Sequence, residues 1–468
     1  MQNQEAIKHT GVVIIGAGLT GLTTAYTLKQ RGFGVHVVEK LTRIGGQIQT
    51  HRVGDYIVES GPNTGAISFP EVKELMNELK ETSHGTCLLE PAVKVANQRL
   101  IWKGSRFRAL PSSPIGGLTT PLFTWTDKFR ILGEPWRRKG QNPDESVASL
   151  ATRRLGKSFV DYAVDPFISG VYAGDANQLI TRYALPKLYN LEQEYGSFIR
   201  GAIAKAKQPK NDRDKLATKE VFSAVGGLGQ IPQAEADYIG TENISLGVTD
   251  VSIKPFEDKW QVKFTSQQGQ AIIYQCQKVV TTCGAYALNN MLPFIESQRL
   301  ERITNLHYAP IIEVGVGVRN TEGLDYKAFG GLIPSREQKK VLGILFPSAC
   351  FKGRAPEGGA LFTYFIGGVK HTEMLDMSDD ELQNLVVDYF HNMLKFPSHI
   401  HPDTINIFRH TKAIPQYEVS SGARFEEVGR IETEYPGLII AGNLRNGIGM
   451  AHRIKQARDI ATNIQLQK

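Results

Sequence analysis

One glycine-rich turn near the start of the chain strongly limits what its first forty residues can form. The run Val12–Ile15 is apolar and β-branched, which predicts a buried strand, and the apolar spacing of residues 22–31 predicts a helix. The turn between them has the spacing G-x-G-x-x-G, with Gly16, Gly18 and Gly21. The first glycine makes the tight turn, the second lets a phosphate approach the backbone, and the third permits close helix packing. The pattern predicts a strand, turn and helix that hold a dinucleotide pyrophosphate at the helix N-terminus.

A carboxylate in the next strand narrows the choice of dinucleotide. Glu39 directly follows the predicted strand Val35–Val38, eighteen residues after Gly21. A carboxylate there accepts hydrogen bonds from ribose hydroxyls and repels a 2′-phosphate, so NADP is disfavoured. The residues predicted to contact the dinucleotide around this turn are Gly16, Ala17, Gly18, Leu19, Thr20, Gly21, Glu39 and Lys40.

Three further segments choose between NAD and FAD. Residues 43–47 (Arg-Ile-Gly-Gly-Gln) and 59–63 (Glu-Ser-Gly-Pro-Asn) resemble the second and third signatures of the FAD-dependent amine oxidase superfamily. Residues 436–443 (PGLIIAGN) resemble the strand that returns in that superfamily to close over the pyrophosphate. The resemblance implies FAD as the cofactor and a backbone contact from Val248 to its adenine. It also implies FAD contacts from Arg43, Gly46, Gln47, Gly61, Pro62, Asn63, Thr64, Gly442, Asn443, Ile448, Gly449 and Met450.

Composition bounds the class of protein. A length of 468 residues is too long for one compact core, and the net charge of +7 is spread thinly, which argues against nucleic acid as the main partner. The four cysteines show neither a C-x-x-C pair nor a histidine spacing typical of a metal site, so we expect reduced thiols in a cytoplasmic protein. No eighteen consecutive residues are apolar, which predicts that the chain does not span a membrane.

The pattern along the chain predicts an α/β and α+β multidomain fold. It comprises a Rossmann-like FAD-binding domain, a mixed-sheet substrate domain and a helical, membrane-associated domain. Residues 66–220 are helix-rich by pattern, strands dominate from about 221 to 367, and the chain ends in another strand, glycine and helix. The predicted domains are 1–90 with 221–295 and 405–468 for FAD, 91–220 for the helices, and 296–404 with part of 91–110 for the substrate.

The middle of the chain resembles the oxygen-dependent, FAD-containing protoporphyrinogen and coproporphyrinogen oxidase family. The segments that carry the resemblance are 144–147 with 153–156, 165–175 (DPFISGVYAGD), 226–232 (GGLGQIP) and 413–417 (AIPQY). It implies a six-electron oxidation of a porphyrinogen to a porphyrin in haem synthesis, with oxygen or another acceptor taking the electrons. Protoporphyrinogen, with two propionates, and coproporphyrinogen, with four, both stay open.

Five residues match substrate contacts of that family. Arg99 matches an arginine that pairs with a propionate, and a guanidinium can hold a carboxylate through two hydrogen bonds. Gly170 stands where a backbone carbonyl meets the pyrrole N–H groups. Phe329, Leu332 and Leu342 match side chains that sandwich the tetrapyrrole, with ordinary core packing as the alternative. No catalytic side-chain set is predicted, because the flavin performs the chemistry.

The sequence departs from the family in three places. Gln47 follows the Gly-Gly doublet where the family often has a second arginine or a large residue. His410 stands where bacterial members tend to have tryptophan. Residues 450–453 (Met-Ala-His-Arg) replace a Pro-Asp-Cys-like run. The last two departures leave FAD binding intact but affect the detailed contacts to the flavin.

Residues 115–139 interleave large apolar side chains with cations. The apolar members are Leu122, Phe123, Trp125, Phe129, Ile131, Leu132 and Trp136, and the cations are Lys128, Arg130, Arg137, Arg138 and Lys139. Such a mixture is typical of the headgroup boundary of a bilayer and predicts peripheral contact on the cytoplasmic face. An amphipathic helix that faces its own core is the alternative.

Other functions on the same scaffold stay open at this point. They are an amine or polyamine oxidase, a carotenoid desaturase and a flavin-binding module without turnover. An amine oxidase would need an aromatic cage beside the C-terminal flavin loop, and residues 444–448 contain no aromatic side chain. The oligomeric state is open as well, a homodimer included.

Overall fold

Two seven-stranded sheets organise the molecule. The computed structural model describes residues 6–111 and 114–466. In spatial order the first sheet contains Ile244–Ser245, Val35–Val38, Ala6–Ile15, Ala271–Thr281, Lys259–Thr265 and Thr249–Phe256, and Leu438–Ile440 also pairs with Ala271–Thr281. The second contains Thr404–Pro415, Tyr308–Val318, Ala360–Gly367, Val341–Leu345, Gly330–Leu332, Arg99–Lys103 and Arg106–Ala109.

Both large sheets combine parallel and antiparallel pairs, which confirms the predicted mixed α/β class. Two small sheets accompany them. One pairs Thr50–Val53 with Tyr56–Glu59, and the other joins Gly65–Ala66, Val221–Ala224 and Leu89–Pro91.

The α-helices lie between and around these sheets. Their bounds are Leu19–Gln30, Pro70–Thr82, Pro114–Thr119, Trp125–Leu132, Val147–Arg154, Lys157–Phe159, Asp165–Tyr172, Thr181–Ala184, Pro186–Tyr195, Phe198–Lys207, Asp212–Lys215, Gln230–Ile239, Leu288–Met291, Ser297–Thr304, Pro347–Cys350, Asp379–Asn392, Ser421–Glu434 and Met450–Asn463. Among the described residues, none of the helices has the length and apolar character needed to cross a bilayer.

The first helix begins earlier than its apolar spacing indicates. It starts at Leu19 rather than Leu22, because Gly18 in an extended conformation is its N-cap residue. Gly21 therefore lies inside the helix rather than in the turn. The predicted helix-rich stretch 66–220 also contains the strands Leu89–Pro91, Arg99–Lys103 and Arg106–Ala109, which the pattern did not indicate.

One long strand joins the second sheet from a segment that the predicted division assigned to the FAD domain. Thr404–Pro415 pairs with Tyr308–Val318 over nearly its full length. The pattern missed this strand because its side chains are half-buried and polar residues interrupt it. The division into three domains itself stays a prediction.

The second sheet has two different faces. Its outer face packs on helix Asp379–Asn392 through a cluster that includes Val314, Phe362 and Phe390. The opposite face, which we call the inner face, carries Ile311, Glu313 and Gly315. A Cβ atom on Gly315 would lie 2.6 Å from Val58 Cγ1, so the strand Tyr56–Glu59 packs directly on this face.

A buried carboxyl group in the helical layer of the first sheet predicts a pH-dependent stability. Glu235 is fully buried and accepts a hydrogen bond of 2.5 Å from Thr23 Oγ1. Burial raises the pKa of Glu235 from 4.5 to about 8. The folded state therefore keeps a proton that the unfolded state releases, and this contribution is full below pH 4.5 and is lost as the pH rises to about 8.

We expect Glu235→Gln to remove part of the pH dependence of unfolding. The free energy of unfolding of the unmodified chain should fall between about pH 5 and pH 8 by up to about 1.4 kcal/mol per pH unit more than that of the variant. Denaturant titrations at several pH values measure this difference. Glu242→Gln, at an exposed carboxyl nearby, is the control. Equal slopes for the Glu235 variant and the unmodified chain would contradict the prediction.

Candidate cofactor and substrate site

The glycine turn is built by backbone contacts that exclude any side chain. Gly16 has a φ of +108°, and its N–H donates to Val38 O at 2.8 Å. A Cβ atom on Gly21 would lie 1.9 Å from Gly16 O. The helix can therefore leave the turn at this angle only with glycine at position 21.

Two glycine segments face each other at the start of this helix. Gly45 N donates to Ala17 O at 2.8 Å, and a Cβ atom on Gly18 would meet only Gly46 Cα, at 3.9 Å. The helix has no side-chain cap, so its first N–H groups are without the usual acceptor. Leu19 and Thr20, the first two helical residues, are buried. The arrangement leaves space and donors for an anion such as a pyrophosphate.

Glu39 lies at the edge of this cradle. Its Oε2 accepts from Ala17 N at 2.7 Å and its Oε1 accepts from Leu41 N at 2.9 Å. Val248 N donates to the backbone carbonyl of Glu39 at 3.1 Å, which places the predicted adenine contact beside the predicted ribose contact. Lys40 is exposed and lies over the ring of Tyr286.

The second and third signature segments touch each other and the second sheet. Arg43 donates to Gly46 O at 2.9 Å, and a Cβ atom on Gly61 would lie 1.9 Å from the backbone oxygen of the exposed Gln47. Asn63 is buried between the partly exposed Pro62 and Thr64. These contacts bring both signature segments to one side of the glycine turn.

Sequence reasoning missed the partner of Asn63. The amide of Asn63 donates to Glu313 Oε2 at 3.2 Å, and its oxygen accepts from Thr363 Oγ1 at 3.0 Å. Burial raises the pKa of Glu313 to about 8, so this carboxyl is mostly uncharged at neutral pH. Glu313 thus joins the third signature to the inner face without a buried charge.

A buried arginine holds the C-terminal loop, and sequence reasoning missed this as well. Arg453 donates to Arg445 O at 2.8 Å, to Gly447 O at 2.7 Å and to Gln456 Oε1 at 2.8 Å. Gln456 Oε1 also accepts from Gly442 N at 3.0 Å. Burial lowers the pKa of Arg453 to about 10, so it stays charged at neutral pH. The signal in the sequence is a cation on the buried side of the last helix.

Tyr417, the last residue of the Pro-Gln-Tyr motif, holds the same loop from the other side. Its hydroxyl donates to Asn443 O at 2.8 Å and accepts from Gly447 N at 3.1 Å. The partly buried Ile448 follows, and Gly449 then caps helix Met450–Asn463 without a side-chain acceptor. This helix start therefore offers a second set of N–H donors beside the loop.

The two histidines that depart from the family are both half-buried and neutral at pH 7. Burial and the nearby Arg43 lower the pKa of His410, whose Nε2 has no hydrogen-bond partner among the described residues. Burial lowers the pKa of His452 to about 4, and its ring packs edge-on against Phe69. His452 also lies beside Gly447, so it is part of the loop environment.

The structure brings Gly170 and Leu332 into contact. A Cβ atom on Gly170 would lie 2.4 Å from Leu332 Cδ2, so a side chain at position 170 would displace the end of this leucine. At the C-terminus of helix Asp165–Tyr172, the N–H groups of residues 173 and 174 both donate hydrogen bonds to Ile168 O. The carbonyl of Gly170 consequently has no hydrogen-bond donor among the described residues.

The remaining predicted substrate residues, Leu342, Phe329 and Arg99, differ in the exposed fraction of their side chains. Leu342 packs with Ile311 in a small cluster on the inner face. Arg99 is exposed, with its guanidinium 5.6 Å from the ring centre of Phe329. Phe329 is half-buried and packs against Cys350 and Phe351, in a different cluster from that of Leu332. Of the five predicted substrate residues, Gly170 is therefore in contact with Leu332, and the ring of Phe329 lies under the guanidinium of Arg99.

Two glycine substitutions should separate cofactor binding from folding. Gly18→Ala places a methyl group in open space of the cradle, so we expect FAD to bind at least about tenfold more weakly while the FAD-free chain melts as before. Gly21→Ala forces the methyl group against Gly16 O and should destabilise the FAD-free chain by about 1–3 kcal/mol. FAD titration and thermal melting measure the two effects. Equal FAD affinity in Gly18→Ala and the unmodified chain would contradict the assigned cradle.

Comparison with known proteins agrees with this geometry. The family of flavin-containing amine oxidoreductases matches residues 19–461. Protoporphyrinogen oxidase 2 of Arabidopsis thaliana is 30% identical over 96% of this chain and 92% of its own length. Coproporphyrinogen III oxidase of Bacillus subtilis (strain 168) is 23% identical over 96% of both chains. A crystal structure from Exiguobacterium sp. 255-15 has the same fold, with a TM-score of 0.77, 20% identity and coverage of 98% of this chain and 99% of that one.

These matches extend over nearly the full length of the chain and cover both cofactor segments. The two glycine segments, the uncapped helix and Glu39 fit the pyrophosphate and ribose of a flavin dinucleotide. The chain therefore belongs to the flavin-containing amine oxidoreductase family, as an oxidase with FAD as its cofactor.

Proposed function

We propose that the chain oxidises protoporphyrinogen IX to protoporphyrin IX in haem biosynthesis, removing six electrons that pass through FAD to oxygen or another acceptor. The observation that carries the proposal is an apolar contact with a polar rim. Leu332 lies against Gly170, and the carbonyl of Gly170 accepts no hydrogen bond from the part of the chain that the structure describes. The exposed Arg99 lies in the strand next to that of Leu332. An apolar ring system with N–H groups at its centre and a carboxylate at its edge fits this surface.

Each residue has a distinct task in this proposal. Leu332 and Leu342 pack on the faces of the tetrapyrrole and exclude water from it. The carbonyl of Gly170 accepts hydrogen bonds from pyrrole N–H groups, which orients the ring system. Arg99 holds a propionate and Phe329 supports the arginine through its ring. FAD, when bound, supplies the electron-accepting ring, so the side chains position the substrate instead of attacking it.

Two relatives support the substrate class but differ in the substrate itself. The Arabidopsis thaliana relative is named a protoporphyrinogen oxidase and the Bacillus subtilis relative a coproporphyrinogen III oxidase. We favour protoporphyrinogen because the more similar of these two carries that name. Coproporphyrinogen is the second candidate, because the Bacillus subtilis relative carries that name.

The purified, FAD-loaded chain should oxidise protoporphyrinogen faster than coproporphyrinogen. Porphyrin fluorescence, followed over time with each substrate separately, measures both rates. A faster reaction with coproporphyrinogen would assign the second candidate instead. Absence of both reactions, together with FAD reduction by an amine under anaerobic conditions, would overturn the proposal in favour of an amine oxidase.

Arg99→Ala should change substrate binding more than turnover. A propionate contact contributes equally to ground-state and transition-state binding, so we expect KM to rise by about tenfold and kcat to stay within about twofold. Steady-state kinetics on the preferred porphyrinogen measure both constants. An unchanged KM would show that Arg99 is an ordinary surface charge.

We also propose peripheral membrane contact through the surface around helix Trp125–Leu132. Four large apolar side chains project from it: Trp125 (64% exposed), Phe129 (68%), Leu132 (55%) and Trp136 (79%). Arg130, Arg138 and Lys139 are exposed near them. Exposed rings beside cations fit the boundary of an anionic bilayer.

Part of the predicted membrane stretch faces inward. Leu122 and Phe123 are buried in a cluster with Ile101 and Tyr162, and Lys128 is buried beside the Trp125 ring. They do not belong to the proposed surface. The pattern could not separate them, because their side chains are as apolar or basic as those that project outward.

Removal of two rings should weaken membrane binding. We expect the double variant Trp125→Ser and Trp136→Ser to bind vesicles of anionic phospholipid at least about tenfold more weakly than the unmodified chain, because each ring loses its burial in lipid. Vesicle cosedimentation measures binding. Val419→Ser removes an equally exposed apolar side chain far along the sequence and is the control. If the double variant and the control bind alike, the surface has another use.

A further inference from the structure

A row of cations lies at the edge of the second sheet, on the side of Leu332. The strands Arg99–Lys103 and Arg106–Ala109 pair with Ile101 opposite Arg108, and Leu110 N donates to Arg99 O at 2.8 Å. Paired residues of an antiparallel ladder point to the same face, and alternate residues of one strand do too. The side chains of Arg99, Ile101 and Lys103 therefore share one face with those of Arg106 and Arg108. Leu332 pairs with Ile101 and packs in the same cluster, so this is the inner face.

Arg99 and Arg108 differ from their charged neighbours Lys103 and Arg336. Lys103 Nζ donates to Leu122 O at 2.7 Å, and Arg336 forms an ion pair of 2.9 Å with Asp161. Among the described residues, neither Arg99 nor Arg108 forms an ion pair with a carboxylate. Arg108 is half-buried, and its buried Nε has no hydrogen-bond partner in the same part of the chain. A guanidinium prefers a carboxylate or phosphate with two parallel hydrogen bonds.

The positive charges also disfavour each other. Burial lowers the pKa of Lys103, and the neighbouring Arg108 and Arg336 lower it further. The carboxylates of Asp127 and Glu337 act on Lys103 in the opposite direction. Among the described residues neither of them forms an ion pair with Arg99 or Arg108, so these two guanidinium groups lack a direct counter-charge. A bound anion would remove this repulsion, as expected at a ligand site.

We propose that Arg108 is a second carboxylate anchor that acts together with Arg99, so that the site selects a tetrapyrrole with two neighbouring propionates on one edge. The two arginines are diagonal neighbours on the ladder, which places their Cα atoms about 7–8 Å apart. Two such side chains reach two acid groups on adjacent pyrroles, not acid groups on opposite sides of the ring. The inference rests on the proposed function, because it specifies the acidic edge of that substrate.

Binding of the porphyrin product and of its ester tests this inference, because only the free acid offers carboxylates to Arg108, whereas a change in packing would affect both. The probes are protoporphyrin IX and its dimethyl ester, titrated into the FAD-loaded chain and followed by porphyrin fluorescence. We expect Arg108→Ala to bind the diacid about tenfold more weakly than the unmodified chain and to bind the diester unchanged. Arg106→Ala removes a charge from the same face at the exposed hairpin end, farther from Arg99. It is the control and should leave both affinities unchanged.

Two further variants at position 108 distinguish the loss of a carboxylate contact from a general effect on folding. Arg108→Gln keeps most of the side-chain volume and should show the same loss for the diacid alone, while Arg108→Lys should restore part of the affinity. Equal loss for diacid and diester in the alanine and glutamine variants would overturn the inference in favour of packing. Unchanged affinities in both variants would overturn it as well. No binding of either porphyrin by the unmodified chain would overturn the proposed function together with the inference.

Discussion

The contact between Gly21 and the carbonyl of Gly16 is the constraint on which the site depends. Any side chain at position 21 would stand 1.9 Å from that oxygen, so the helix axis could not leave the turn as it does. The hydroxyl of Thr282 donates to the same carbonyl at 3.2 Å and ties the neighbouring strand to the turn. Gly442 lies beside the backbone oxygen of Thr282, and a Cβ atom on Gly442 would be 2.9 Å from that oxygen. The N-terminal turn, the strand that ends at Thr281 and the C-terminal loop therefore pack backbone against backbone around Gly16 and Thr282.

Local patterns predicted the parts of the site that lie close together in sequence. Residues 12–15 of the strand Ala6–Ile15, the glycine turn and Glu39 follow from residue types and spacing within forty positions, because backbone sterics and strand burial are local effects. The earlier residues 6–11 of that strand were not predicted. The C-terminal strand and helix also followed from local spacing. Their assignment to FAD came from a resemblance to known proteins and not from the spacing itself.

The supports of the site could not be predicted in the same way. Glu313 contacts Asn63 although 250 positions separate them in the sequence. Tyr417 lies two residues after the strand Thr404–Pro415, and the position of that strand in the second sheet brings the Tyr417 hydroxyl to the backbone of Asn443. A glutamate within an apolar strand looks like an outward-facing residue until the second sheet shows what covers it. The pairing of Arg108 with Ile101 likewise requires the ladder register, which residue types alone do not define.

The predicted cofactor cradle combines segments that lie some four hundred residues apart in the sequence, and this separation affects how the protein is made. Glycines 16, 18 and 46 supply one wall, while the loop held by Arg453 and Gln456 supplies the other. During synthesis the first wall leaves the ribosome some four hundred residues before the second, and domains of large proteins form progressively as they emerge. A nascent chain therefore has only one wall of this predicted site until residues 442–456 have emerged, and binding that needs both walls cannot be complete before then.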